Sequence, residues 1–98
     1  MIQVVIENEQ GLQIGSAVDF SPSLIPAETD ARFVCLRFVD PYGDTTFNHI
    51  QAPYLEADLQ LLSSECGAPE QKAELQQILS LVSTCRAAVH LYIKFVGD

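Results

Sequence analysis

A chain of 98 residues with 5 Lys plus Arg against 13 Asp plus Glu carries a formal net charge of −8 and has room for one domain, residues 1–98. Its 48% apolar content excludes a disordered chain, and no apolar run is long enough for a membrane span. The acid excess repels phosphate backbones, so neither DNA nor RNA is an expected partner. Ile2-Gln3-Val4-Val5-Ile6 alternates as a half-buried strand does. No charged segment followed by an apolar stretch opens the chain as given, so a cytoplasmic protein is expected rather than a secreted one. Asn8-Glu9-Gln10-Gly11 supplies a turn in which Gly11 is free to take positive φ. Leu12, Ile14, Val18 and Phe20 then share one face of a second strand, completing a hairpin. Pro22, Pro26 and their polar neighbours make residues 21–31 a surface loop. A third strand is expected from Arg32 to Val39, with Val34, Leu36 and Phe38 on one face and Phe33, Cys35 and Arg37 on the other. Asp40-Pro41-Tyr42-Gly43-Asp44 reads as a turn, and Thr45–Asn48 as a fourth strand closing a second hairpin.

The period changes after residue 52. Leu55, Leu59, Leu62 and Cys66 form one helical stripe, with Pro53 suited to the first turn. Glu56 and Asp58 are expected to complement the helix dipole, and Gly67 to close the helix in a left-handed cap. Pro69 opens a second helix whose stripe is Leu75, Ile78, Leu79 and Val82. The link between the two is so short that they must form an antiparallel hairpin. A fifth strand follows, with Val89, Leu91, Ile93 and Phe95 facing one way and His90, Tyr92, Lys94 and Val96 the other. The expected fold class is α+β. It is a two-layer sandwich of about five mostly antiparallel strands, order β-β-β-β-α-α-β, with a helical hairpin on one face.

Cys35, Cys66 and Cys85 are odd in number, contain no C-x-x-C pair and sit on apolar positions. They read as reduced thiols in the core, not as disulfides or a zinc site. Cys85 with His90 has the residue types of a thiol nucleophile and its base, but Cys85 continues an apolar stripe where a thiolate is disfavoured. No phosphate-binding loop, nucleophile elbow or metal-ligand spacing occurs, so nothing argues for an enzyme, a cofactor or a metal.

Two places carry polar chemistry. Asn48, His49 and Gln51 lie between a strand and a helix, where a polar ligand would meet convergent donors; capping of the helix is the commoner role for such residues. His90, Tyr92 and Lys94, with Arg37 across the sheet, would make a mixed aromatic and cationic face of the kind interfaces favour.

Asp44-Thr45-Thr46-Phe47-Asn48-His49-Ile50-Gln51 and the closing His90-Leu91-Tyr92-Ile93-Lys94-Phe95-Val96-Gly97-Asp98 resemble two segments of small, mostly uncharacterised bacterial proteins. Those proteins carry a T-x-F-N-x-x-Q segment and end in a Y-[IL]-[KR]-F-[IV]-G-D strand. The resemblance implies a bacterial cytosolic protein of this general shape and assigns no site residue. The leading expectation is a non-enzymatic acidic domain that binds a basic protein partner, in its most specific form an immunity-type inhibitor of a basic toxin. The alternative is a small-molecule-binding domain or enzyme using Asn48, His49 and Gln51. Homodimerisation through the outer sheet face is compatible with the first.

Overall fold

The computed structural model describes residues 1–97. One antiparallel sheet holds four strands: β1 (Ile2–Asn8), β2 (Gln13–Phe20), β3 (Asp44–Phe47) and β4 (Leu91–Val96), in the order β2-β1-β4-β3. Helices α1 (Ala52–Glu65) and α2 (Pro69–Arg86) separate β3 from β4. The first and last strands of the chain are thus neighbours at the centre, paired from Gln3↔Val96 to Asn8↔Leu91. Helix α2 lies on β1, β2 and β4, while α1 packs beside α2 and against a short 3-10 turn at Leu36–Phe38. No helix among the described residues is long and apolar enough to cross a membrane.

The alternation expected of the sheet holds where strands cross the helices. Ile2, Val4, Ile6, Ile93 and Phe95 enter one core with Leu55, Leu59, Leu75, Ile78 and Val82. Phe95 sits at its centre, with its ring edge-on to Phe20 of β2 at 5.5 Å and to Phe47 of β3 at 5.9 Å. Each such ring contributes roughly 1.5–3 kcal/mol by leaving water, and edge-to-face pairing adds to that. Leu12, Ile14 and Val89, assigned to the same face by their alternation, are exposed because they lie beyond the helical cover.

The turn after β1 forms as expected. The Asn8 side chain accepts the N–H groups of Gln10 and Leu12, both at 3.0 Å, and Gly11 takes φ +79°. A second positive φ, +77° at Gly15, marks a bulge: Gly15, Ser16 and Ala17 stand opposite Val5 alone. Such a bulge twists an edge strand away from further pairing.

Five strands were expected and four are present among the described residues, in the element order β-β-β-α-α-β. Residues 32–39 are not a strand, and no second hairpin forms; β3 pairs with β4 instead. The cause is a carboxylate. Asp58, buried in α1, accepts the N–H groups of Val34 (3.1 Å), Cys35 (2.7 Å) and Leu36 (2.9 Å). Consecutive N–H groups of a strand point to opposite sides, so three aimed at one carboxylate require a bent chain. Cys35 accordingly adopts helical angles, φ −112° and ψ −48°.

Two helix ends also differ from expectation. The first turn of α1 has no acid: Glu56 accepts a bond from Arg86 at 2.9 Å, and Asp58 is turned to the loop. Gly67 is not left-handed, because the chain already leaves α1 at Cys66 in an extended conformation, φ −82° and ψ 135°.

Candidate functional site

Tyr92 and Lys94 project from β4 on the face away from the helices, as their alternation requires. Lys94 Nζ lies 3.4 Å from Glu7 and 3.5 Å from Asp44, bridging both neighbouring strands. The field of Glu7, assisted by Asp44, raises the Lys94 pKa. A raised amine contributes stability below its ordinary range and loses it only as pH climbs through the folded value, so this bridge persists at neutral pH. Gln3 donates to Asp19 on the same face. His90 falls just before β4, exposed, with Nδ1 3.2 Å from Glu9.

Arg37 does not join this face. It belongs to the 3-10 turn against α1, where its guanidinium lies 4.6 Å from the Phe38 ring and donates to the Glu28 carbonyl at 3.3 Å. The mixed face with Phe33, Cys35 and Arg37 is therefore absent, since that segment is bent rather than extended. Replacing His90, Tyr92 and Lys94 together by Ser is expected to leave a folded protein with a small loss in thermal melting. An unfolded product would show that this face contributes as much as the helical side.

The Asn48–Gln51 turn is a cap. Asn48 Oδ1 accepts the Gln51 N–H at 3.0 Å, and Gln51 Oε1 accepts the Asn48 N–H at 2.9 Å. This reciprocal pair has the form of a capping box one turn ahead of α1. His49, half-buried, sits between them. Neither of the two grooves described below is lined by Asn48, His49 or Gln51.

The structure does bring the Arg37 segment and the Asn48–Gln51 turn together. The Cys35 thiol approaches the Gln51 carbonyl at 4.0 Å, and two turns further along α1 Asp58 fastens residues 34–36. On these two joined segments and the first turn of α1, Val34, Phe38, Ile50 and Tyr54 are each more than half exposed. Large apolar groups grouped on a surface are a mark of association. Asp58 is the residue sequence reasoning missed. Its only signal was a charge lying on the arc between Leu55 and Leu62 that the helix buries.

Cys35 and Cys85 are poor nucleophiles. Burial pushes Cys35 and Cys85 up to about 11, the reverse of thiolate activation, and Asp58 adds to the shift at Cys35. The folded protein holds these protons more tightly than the unfolded chain. Stability from these groups is therefore complete below the ordinary thiol value of 9.0 and is lost as pH rises toward about 11. In the native protein at mildly alkaline pH, a thiol reagent is expected to titrate the half-buried Cys66 quickly, and Cys35 and Cys85 only after unfolding. Rapid reaction of all three would contradict their burial.

An open groove of about 590 Å³ runs between the end of β2 and the start of α2, lined by Asp19, Glu70 and Glu74 among others. Glu74 there accepts the Ser21 N–H at 2.6 Å, tying the strand to the helix. A second groove, about 320 Å³, lies between the outer sides of α1 and α2 and includes Glu56, Gln60 and Ser83. Among the described residues no group of three or more His, Cys, Asp or Glu is arranged to hold a metal ion. Comparison of the chain with protein-family models, with curated proteins and with solved structures finds no match.

Proposed function

We propose that this domain is a non-enzymatic interaction protein that binds a basic protein partner. The observation that carries the reading is how the charges are spent. Arg32 is held at 2.9 Å by both Asp30 and Glu65, Arg86 by Glu56, and Lys94 by Glu7 and Asp44. The Arg37 guanidinium sits over the Phe38 ring. Internal pairing thus consumes most of the 5 cations, and the remainder of the 13 acids sets an outward negative field. Such a field speeds encounter with a basic surface and discourages acidic ones.

The most specific form of this reading is an immunity-type inhibitor that masks a basic toxin, such as a nuclease, in a bacterial cytoplasm. The likeness of the Asp44–Gln51 and His90–Asp98 segments to small bacterial proteins supports that setting. The test is titration of the purified protein against the products of neighbouring genes, at low and at high salt. A complex with a basic protein that weakens as salt rises is expected. Absence of any such complex at low salt would overturn the reading. Sedimentation of the protein alone reports whether it also pairs with itself through the outer sheet face.

A further inference from the structure

We infer that the basic partner docks on the surface where the Leu36–Phe38 turn meets the start of α1, with Phe38 and Tyr54 as its apolar anchors. This rests on the reading above and adds the location and the chemistry of contact. Val34, Phe38, Ile50 and Tyr54 expose more than half of their area there, and aromatic anchors dominate binding energy at protein interfaces. The surface is held ready before binding. Three N–H bonds to the buried Asp58 fix residues 34–36, and the reciprocal Asn48–Gln51 bonds fix the turn that carries Ile50. Little ordering remains to oppose association.

Charge selects the occupant. Glu28 and Asp40 belong to the same stretch of surface: the Glu28 backbone carbonyl accepts from the Arg37 guanidinium over the Phe38 ring, and Asp40 follows Phe38 by two residues, so two carboxylates outnumber the one cation there. Both are exposed, and neither carboxylate is paired with a Lys or Arg among the described residues. Apolar anchors beside carboxylates that no Lys or Arg neutralises fit a protein surface that sets an apolar side chain between Lys or Arg residues. A second copy of this chain would bring the same carboxylates together, and a nucleic acid would be repelled.

The experiment places a photo-crosslinking phenylalanine analogue at position 38, 54, 92 or 12 of the full chain, in the cells it comes from. The protein captured is then purified and titrated against wild type, Phe38→Ser, Tyr54→Ser and the Glu28→Lys/Asp40→Lys pair. Adducts from positions 38 and 54, and not from 92 or 12, with one basic protein are expected. Each Ser variant should weaken its binding about tenfold or more, with melting little changed because the side chains are exposed. The charge-reversed pair should weaken it as well and flatten its dependence on salt. Adducts from position 92 or 12 alone would overturn the inference and leave the proposed function standing. An acidic partner captured at 38 and 54, or a second copy of this chain, would overturn the charge argument. Adducts from no position would remove both proposals.

Discussion

Asp58→Ala is expected to lower the unfolding free energy by about 3–5 kcal/mol, which places it among the exceptional single substitutions. A hydrogen bond to a charged group is worth about 1.5–3 kcal/mol net, and Asp58 accepts three, from Val34, Cys35 and Leu36. Its side chain is almost wholly enclosed, so alanine leaves the N–H groups of Cys35 and Leu36 facing a space too apolar to hydrate well. A domain of this size has only about 5–15 kcal/mol to lose. Asp58→Asn keeps one acceptor but turns an amide N–H2 toward the other donors, and is expected to cost about 2–3 kcal/mol. Urea unfolding measures both losses. Hydrogen exchange adds the location: the amides of residues 34–36 should lose protection before those of β1 and β4. A loss under about 1 kcal/mol for alanine would mean that apolar contacts of Phe33 and Leu36 hold the segment without the carboxylate.

The same residue explains where the sequence could be read and where it could not. β1 (apart from Val5, which is buried on the opposite face), β4 and the helical hairpin were legible because their periodicity is set by burial along a single face. Residues 32–39 carry apolar side chains on both phases of the alternation: Phe33, Cys35, Leu36 and Val39 are buried, while Val34 and Phe38 are not. That pattern satisfies a strand template without specifying one. The deciding interaction comes from a helix more than twenty positions away, which no local pattern records.

For the candidate site the division is similar. The outward direction of Tyr92 and Lys94 followed from alternation. The partners of Lys94, Glu7 and Asp44, depend on a strand order that periodicity does not encode. The spacing of Asn48 and Gln51 left a ligand site and a cap open, and the reciprocal bonds now engage both side chains in a cap. The exposed group at Val34, Phe38, Ile50 and Tyr54 was hidden because it is assembled from two segments, one of which reads alone as a strand and the other as a polar turn leading into a helix.

Gly97→Ala is expected to cost about 2–3 kcal/mol, for reasons of space rather than backbone conformation. A Cβ at Gly97 would lie 2.5 Å from the Gly43 carbonyl oxygen, 2.6 Å from its nitrogen and 2.8 Å from the Pro41 carbonyl oxygen. All three are backbone atoms, so no flexible side chain can yield. The Gly97 N–H also donates to that Gly43 oxygen at 2.8 Å, a bond alanine must stretch or break. The turn it would displace is braced by Asp40, which accepts the Tyr42 N–H and donates its own to Thr45. That turn feeds directly into β3, whose first residue Asp44 pairs with Val96. The disturbance should therefore run along β3 and appear as faster amide exchange at Thr45 and Phe47, with β1 little affected. Gly67→Ala is the control: nothing lies within 4 Å of its Cβ position and its φ is not positive. It is expected to be neutral or to stabilise by about 0.4–1 kcal/mol through the unfolded chain. Equal effects of the two substitutions would show that the close passage of β4 over the Asp40–Gly43 turn does not limit what residue 97 can be.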